Sequence, residues 1–443
     1  MSRNDLRADL DPLFYALIDY EDAYVQPLTL AAFKSLLPPS SFKLINSLSE
    51  CPSPETPVLQ FRAYESLDFE HALENSKSLI NAYVIRKALI RKHYLSTTVS
   101  NWIVKHPTSV LKDHFKPAVD FELDYAEFLD DALVEAFELR ASFEQNEGKG
   151  PSERQWWILK PGMSDRGQGI RLFSTEAELQ SIFKDWEIDE PSDDDEDARS
   201  TSPTDMNVGS NAEKDSSDYI ITSQLRHFVA QPYIHPPLLL PSFQNRKFHI
   251  RTYVLAVGAL SVYVYKPMLA LFATEPYRAP GEDINLKAHL TNTCLQETGE
   301  REGSVRAFWD LEDTIPGLES FKSSAPAQPS TWKEAVFSQI CATTGEVFEA
   351  AARGMMVHFQ PLPGAFELYG LDFLVDAEGT AWLLEVNAFP DFRQTGDDLQ
   401  GVVQGLFEEV VHVAVKPFFD IEGGKEEGSE RMVKVLDIDL GRR

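Results

Sequence analysis

Residues 369–387, YGLDFLVDAEGTAWLLEVN, hold the residue types most able to do chemistry. Two apolar runs flank an Asp-Ala-Glu-Gly turn signal, which is the pattern of a β-hairpin. Pairing Asp376 with Ala381 across a four-residue loop sets Asp372 opposite Glu385. Asn387 then falls on the same face, because strand side chains alternate. Two opposed carboxylates in an apolar hairpin repel and are costly to bury. A hard cation removes that cost, and two carboxylates with an amide oxygen form a partial shell for Mg²⁺ held with nucleotide phosphates. The expectation is an ATP–Mg²⁺ enzyme; the plain alternative is a sheet edge carrying solvated acids.

Three further stretches fit that chemistry. In WILKPGMSDRGQGIRLF, Trp157 to Phe173, a strand ends in Lys160, a loop carries Gly162, Gly167 and Gly169, and a second strand leaves. Glycines let backbone N–H groups approach phosphate oxygens, and a lysine at the strand end adds a point charge. No helix follows the glycines, so this is neither a Walker A loop nor a Rossmann turn. An ordinary turn with a surface lysine is the alternative. In RKFHIRTYVLAV, Arg246 to Val257, a strand puts Lys247, His249 and Arg251 on one face. Such groups on an apolar strand need anions, either phosphates or a substrate carboxylate. VAQPYI, Val229 to Ile234, is a strand ending in a proline kink that could offer backbone groups to an adenine edge.

The elements that must position these residues mix helices and strands without a βαβ rhythm, so the expected class is α+β. Strands are expected at Phe14 to Ile18, Trp156 to Lys160, Gly169 to Phe173, Phe228 to Gln231, Phe248 to Val257 and Leu260 to Tyr265. Helices are expected near Leu28 to Leu36, over Asn75 to Trp102, over Tyr125 to Phe143, from Thr175 to about Trp186, over Trp332 to Ala352 and near Leu399 to Val415. The divisions are a small N-terminal lobe (1–75), a central lobe (76–186), an acidic insert (187–218), a C-terminal lobe with the hairpin (219–419) and a loose Gly- and Glu-rich tail (420–443).

With 443 residues the chain can bury a large core. Its 41 basic and 70 acidic residues leave a net charge of −29, which argues against nucleic acid as a partner. Residues 187–218 hold 12 acids and 2 bases, about a third of that net charge, and read as a disordered tether. Three cysteines without paired spacing suggest neither a zinc site nor a disulfide framework and fit a reducing cytoplasm. No signal peptide, membrane span or coiled-coil seam is read, so a cytoplasmic monomer is expected.

In this order, the Lys160–glycine loop, QPYI (Gln231 to Ile234), KFHIR (Lys247 to Arg251), HLTN (His289 to Asn292) and GLDF…LLEVN resemble the tubulin–tyrosine ligase family of ATP-grasp enzymes. The wording MSDRGQGIRLF and KPMLALFATEPY is closest to fungal tubulin–tyrosine ligase-like proteins. The likeness runs from about Ser76 to Val415. It implies an ATP-grasp fold and a ligase in which ATP phosphorylates a carboxylate and an amino acid's amine attacks the acyl phosphate. It also implies roles. Lys87, in VIRKALIRK, and Lys160 would contact phosphates, with Gly167 and Gly169 in the loop. Gln231, Tyr233 and Ile234 would form the adenine hinge. Lys247 would reach the nucleotide and Arg251 the γ-phosphate or acceptor carboxylate. Asp372, Glu385 and Asn387 would hold Mg²⁺, with Arg251, Glu385 and Lys247 as the catalytic set. His289, Thr291 and Asn292 would border the acceptor, expected to be the C-terminal tail of α-tubulin, and tyrosine would be the amino acid added.

The chain departs from the family pattern at three places. KFDIR is the usual wording, but His249 stands in the middle here; the hinge usually reads QKYI, but Pro232 replaces the lysine; and Leu271 stands where an arginine precedes EPY. These changes keep open a nucleotide-binding scaffold, as in cytoplasmic mRNA-processing bodies, a ligase adding glutamate, and an ATP-grasp ligase acting on a small molecule. An acidic acceptor tail would further need a local basic groove, for which Arg86, Lys87, Arg91, Lys92, Arg246, Lys247 and Arg278 are the candidates.

Overall fold

The computed structural model describes residues 12–162, 169–188, 226–282, 284–291, 304–315, 331–396, 398–424 and 429–441. Three sheets organise the described residues. The first joins Phe14–Asp19 (β1), Phe42–Leu44 (β2), Val58–Arg62 (β3) and Ser78–Ile80 (β4), all parallel, in the order β2-β1-β3-β4. FYALI in β1 is buried throughout, as a parallel strand covered on both faces must be. The helix Val25–Leu36 buries Val25, Leu28, Thr29, Ala32 and Phe33, an i, i+3, i+4 stripe.

The second sheet is antiparallel, with Val119–Glu122 (β5), Trp157–Pro161 (β6), Arg171–Phe173 (β7) and His227–Pro232 (β8) in the order β5-β8-β6-β7. Leu139 and Phe143 from the helix Phe137–Asn146, and Leu179, Phe183 and Trp186 from the helix Glu176–Ile188, close its outer face over Trp157, Leu159, Phe173 and Phe228.

The third and largest sheet is built on Arg246–Val257 (β9). Ser261–Tyr265 (β10) and Leu269–Pro276 (β11) share one edge of β9, and Phe366–Val375 (β13) takes the other. Val305–Ala307 (β12) extends β11, and Ala381–Ala388 (β14) extends β13. Paired on both edges and covered on both faces, β9 is buried over nearly its whole length. One face packs on the helix Trp332–Gly354, whose start carries a reciprocal Thr331–Glu334 capping box. The other face meets the N-terminal lobe and the helix Gln400–Val410. Glu367, fully buried on the first face, is held by Arg86, by the Tyr369 hydroxyl at 2.7 Å and by the Tyr83 N–H at 3.2 Å. Burial pushes its carboxyl up, against the pull of Arg86.

The α+β architecture is as expected, and the differences have local causes. Asn75 to Trp102 is not one helix. Ser78–Ile80 adds β4 to the first sheet, and helix begins only at Lys87–Ile90 and Lys92–Lys105. Leu79, Ile80, Ala82 and Tyr83 are buried as a nearly continuous run, which suits an edge-to-core crossing rather than a helical stripe. Tyr125 to Phe143 breaks into a 3₁₀ turn at Ala126–Phe128, a helix at Leu129–Ala132 and the helix Phe137–Asn146, with the Glu187 carboxylate accepting from the Ala126 N–H. Glu187 therefore belongs to the preceding helix, not to the acidic stretch, whose residues from 189 on lie outside the described ones.

The tail after Phe419 is not loose where it is described. Met432–Asp437 (β15) pairs antiparallel with β10 and completes the large sheet. The Gly- and Glu-rich approach to it hid the apolar residues of MVKVLD. Arg431 Nε lies 3.2 Å from Glu409, which is itself buried and also accepts from Ser429 Oγ at 2.9 Å. Gly345 lets the long helix approach, because a Cβ there would stand 2.7 Å from the Val435 carbonyl. Truncation after Gly424 removes buried Met432 and frees the edge of β10. It is expected to cost roughly 3 kcal/mol and promote aggregation, measured by urea unfolding and light scattering. Unchanged unfolding would show that β15 is dispensable.

Candidate active site

A cleft lies between the second and third sheets. Ile158, Lys160 and Pro161 of β6, Gln231 and Pro232 of β8, and Ile170, Tyr233 and Ile234 form one wall. Lys247 and His249 of β9, Asp372 and Leu374 of β13, and Leu384, Glu385 and Asn387 of β14 form the other. Lys92 and His289 to Thr291 close the ends. Strand alternation explains the second wall: Lys247, His249 and Arg251 share one face of β9 while Phe248 and Ile250 point into the core beneath.

Asp372 does oppose Glu385, by a route the hairpin pattern did not reveal. The turn pairs Val375 with Ala381, which alone would set Leu384 against Asp372. A bulge between Asp372 and Phe373 in the register inserts one residue on β14, so Glu385 arrives opposite Asp372. The two carboxylates are not left bare. Asp372 is also the register partner of Arg251, which grips both its oxygens through Nε and Nη2, the latter at 2.9 Å. Glu385 lies 3.4 Å from Lys92 Nζ and accepts from Asn387 Nδ2 at 3.1 Å. Burial pushes the Glu385 carboxyl up, but Lys92 and Lys160 outweigh this and hold it well below the usual carboxylate range. The hard cation expected to remove the cost of this pair is therefore not alone in doing so, since the chain's own cations relieve part of it.

The donor set still fits Mg²⁺. Asp372, Glu385 and Asn387 offer hard oxygen donors at one end of the cleft, and Glu385 is held ionised. Among the described residues no group of three His, Cys, Asp or Glu side chains gathers as a metal site, so a cation here would complete its shell with phosphate and water oxygens.

The remaining cations rest on uncharged oxygens. Lys160 Nζ donates to Gln231 Oε1 at 2.9 Å, and Lys247 Nζ donates to Tyr233 Oη at 2.9 Å. Burial lowers Lys160 to about 8, Glu385 partly opposing this and Lys92 adding to it. Burial and then Lys160 lower Lys247 to about 7. Tyr233 Oη also meets His289 Nδ1 at 2.8 Å, and His249 Nδ1 meets Thr291 Oγ1 at 2.6 Å. Burial lowers His249 against the pull of Asp372 and so favours the neutral ring, and its Nε2 has no hydrogen-bond partner, 3.6 Å from Asp372 Oδ1.

Most of the expected residues meet in this cleft, but Arg251 lies behind Asp372 without lining it, and other residues differ from expectation. Lys87 is exposed at the start of its short helix and does not line the cleft. Lys92, five positions on in the same VIRKALIRK run, does. Only the phase of a helix beginning after Arg91 could have singled it out. Tyr233 does not present its N–H as a hinge donor, because that group is bonded to the Trp156 carbonyl at 2.8 Å; its ring and hydroxyl face the cleft instead. Gly167 and Asn292 lie outside the described residues, whereas Gly169 is buried with φ +69°, a conformation glycine adopts readily. The expected basic groove does not assemble within the cleft. Of its seven candidates only Lys92 and Lys247 line the cleft, and Arg86 is committed to Glu367.

Two departures noted in the sequence are neighbours. Leu271 of β11 is the direct register partner of His249 of β9. An aspartate and an arginine at these positions would face each other as a cross-strand ion pair, and here a neutral ring and a buried leucine replace both.

Residues 74–422 match the family model "Tubulin-tyrosine ligase family". The chain is similar to a "Probable tubulin--tyrosine ligase" of Schizosaccharomyces pombe, 44% identical over 405 residues, covering 91% of this chain and 92% of that protein. It is 41% identical to the "Probable tubulin--tyrosine ligase PBY1" of Saccharomyces cerevisiae over 96% of this chain, yet spans only 55% of that protein. It also superposes on the crystal structure of the C-terminal domain of K. lactis Pby1, an ATP-grasp enzyme interacting with the mRNA decapping enzyme Dcp2. The TM-score is 0.68 at 35% identity, with 96% of this chain and 99% of that chain covered.

Two predictions follow from the charges. An anionic ligand beside Lys160 and Lys247 raises both values, so nucleotide binding at pH 8 takes up about one proton and affinity falls as pH rises from 6.5 to 8.5. Calorimetry in buffers of different ionisation enthalpy reads the uptake, and zero or negative uptake contradicts the assignment. Second, His249→Asp and Leu271→Arg each bury an unpaired charge and destabilise, whereas the double variant recovers about 2 kcal/mol or more of the summed loss. Additive losses in urea unfolding would show that the two positions are independent.

Proposed function

This chain belongs to the tubulin–tyrosine ligase family, and on that premise we propose that it is an ATP-dependent carboxylate–amine ligase that adds an amino acid, tyrosine first, to a protein carboxylate. The observation that carries this reading is the meeting, in one cleft, of Lys92, Lys160 and Lys247 with Asp372, Glu385 and Asn387. ATP bound with Mg²⁺ would supply the phosphoryl group that activates the carboxylate. Asp372, Glu385 and Asn387 would hold the Mg²⁺. Lys92, Lys160 and Lys247, with Arg251 behind Asp372, would stabilise charge spread over phosphoryl oxygens, which lowers the barrier without covalent help from the protein. Ile158, Ile170, Ile234, Leu374 and Leu384 would shield the nucleotide from water. His289 and Thr291 would border the acceptor end, held by Tyr233 and His249.

The acceptor proposed first is the C-terminal tail of α-tubulin. The net charge of −29 weighs against long-range attraction of so acidic a tail, so docking would rest on the cleft's own lysines. A second reading, a nucleotide-binding scaffold at the mRNA decapping machinery of the cytoplasm, is favoured by the K. lactis relative, which interacts with a decapping enzyme. Among the described residues no helix is long and apolar enough to cross a membrane.

The deciding measurement is ATP- and Mg²⁺-dependent incorporation of labelled tyrosine, and separately glutamate, into detyrosinated tubulin. Glu385→Gln keeps the shape of the side chain and removes its charge; incorporation is expected to fall about a thousandfold with little change in unfolding. Full activity in that variant would sink the metal assignment. Binding of Mg·ATP with no transfer of either amino acid would favour the scaffold.

A further inference from the structure

We infer that Tyr20, in the N-terminal lobe, is a positioning residue for the carboxylate end of the cleft, acting through a left-handed corner at Phe389. The inference rests on the reading above, in which Asp372, Glu385 and Asn387 hold a divalent cation with nucleotide phosphates. The family match begins at residue 74, so Tyr20 lies outside it.

β14 ends at Ala388, and Phe389 follows with φ +45°. A bulky L residue disfavours this conformation and holds it only where its surroundings impose it. Two contacts do so here. The Phe389 N–H donates to the Leu368 carbonyl at 2.8 Å. Its ring stacks on Tyr20 with centroids 4.0 Å apart and planes at 25°, while Phe61 and Phe392 stand edge-on to it. Tyr20 is itself anchored by its own lobe. Its N–H donates to Gln26 Oε1 at 2.9 Å, and Gln26 Nε2 donates to the Ile18 carbonyl at 2.7 Å.

The corner folds Pro390 back over Gly370, the register partner of Asn387. A Cβ on Gly370 would stand 2.7 Å from Pro390 Cβ and 3.2 Å from Arg251 Cδ. Pro390 and the Arg251 stem therefore meet over Gly370, and the Arg251 head grips Asp372. Loss of the Tyr20 stack lets Phe389 relax toward extended backbone. Pro390 then lifts off Gly370, and Arg251, Asp372 and Asn387 loosen together. Gly370, without a side chain, is what makes so close a contact possible.

The test is calorimetry of Mn²⁺·ADP, with ADP alone in chelator as the second arm and the Mn²⁺ resonance spectrum as a structural readout. Tyr20→Phe keeps the stack and binds Mn²⁺·ADP within about twofold of wild type; Tyr20→Leu weakens it about tenfold, leaves ADP alone unchanged and broadens the spectrum. Phe389→Ala, which lacks the ring and still disfavours the left-handed corner, gives the same metal-specific loss and serves should Tyr20→Leu not fold. Wild-type Mn²⁺·ADP affinity in both variants overturns the inference, and so does an equal loss for ADP alone, which would make the stack a support of the whole cleft. A wild-type protein that binds no Mn²⁺·ADP overturns the nucleotide–metal reading and this inference with it.

Discussion

The cleft depends on how buried charge is paired. Arg251 and Asp372 face each other on adjacent central strands, both almost wholly buried, and neither could stay there alone. Removing one partner of such a pair typically costs about 3–5 kcal/mol, because the other charge is left in a poor solvent. The same rule is met at Glu385, served by Lys92, and at Glu367, served by Arg86. It is met only in part at Lys160 and Lys247, which rest on the uncharged oxygens of Gln231 and Tyr233. The cleft therefore carries a surplus of positive charge that the fold does not neutralise, and burial drives both lysines toward losing their protons. A polyanion is the ligand that would relieve this. That is a stronger physical case for nucleotide phosphates than the glycine loop, because a glycine loop is compatible with many turns and two buried lysines on neutral partners are not.

Strand register converts that constraint into a site. β9 places Lys247, His249 and Arg251 on one face because alternation leaves no other choice. β13 sets Asp372 beside Arg251. β14 would present Leu384 at the crucial position were it regular, and its single extra residue brings Glu385 there instead. A one-residue slip reverses every side chain on a strand, so the bulge decides whether a carboxylate or a leucine stands opposite Asp372.

Much of this was legible from residue types, and the failures are instructive. The period-2 pattern of KFHIR and the carboxylates of the hairpin mark one wall of the cleft from residue types alone. The Asp372–Glu385 pairing also emerges from sequence, but through an assumed turn that lacks the bulge; two errors of one residue cancelled. Bulges leave no mark in composition. Lys87 and Lys92 are equally good lysines in VIRKALIRK, and only the break between the helices Lys87–Ile90 and Lys92–Lys105 turns the second one inward. The carboxylate pair points to a metal when cross-strand pairing is read within the hairpin alone. Arg251 comes from a strand more than a hundred residues earlier, and no local pattern shows that it lies next to Asp372. β15 escaped for a similar reason: its pairing with β10 is long-range, and the approach to it reads as linker.

The departures from the family wording gain meaning from the same geometry. Read along the chain, His249 and Leu271 are separate losses, one of an acid and one of a base, and each suggests decay of the site. On the sheet they are opposite one another, so the exchange is of one ion pair for one neutral pair and the net charge of the cleft wall is unchanged. A buried wall tolerates that exchange where it would not tolerate either half. His249 is not idle after it: Nδ1 ties β9 to Thr291, and Nε2 remains without a partner inside the cleft. Pro232 differs in kind, since it gives up a backbone donor on the wall opposite. Loss of function by drift would be expected to strike Lys160 and Lys247 too, because buried charge resting on uncharged partners is costly for an idle cleft to keep. Their retention beside a balanced exchange favours a site altered in what it accepts over one that has stopped working.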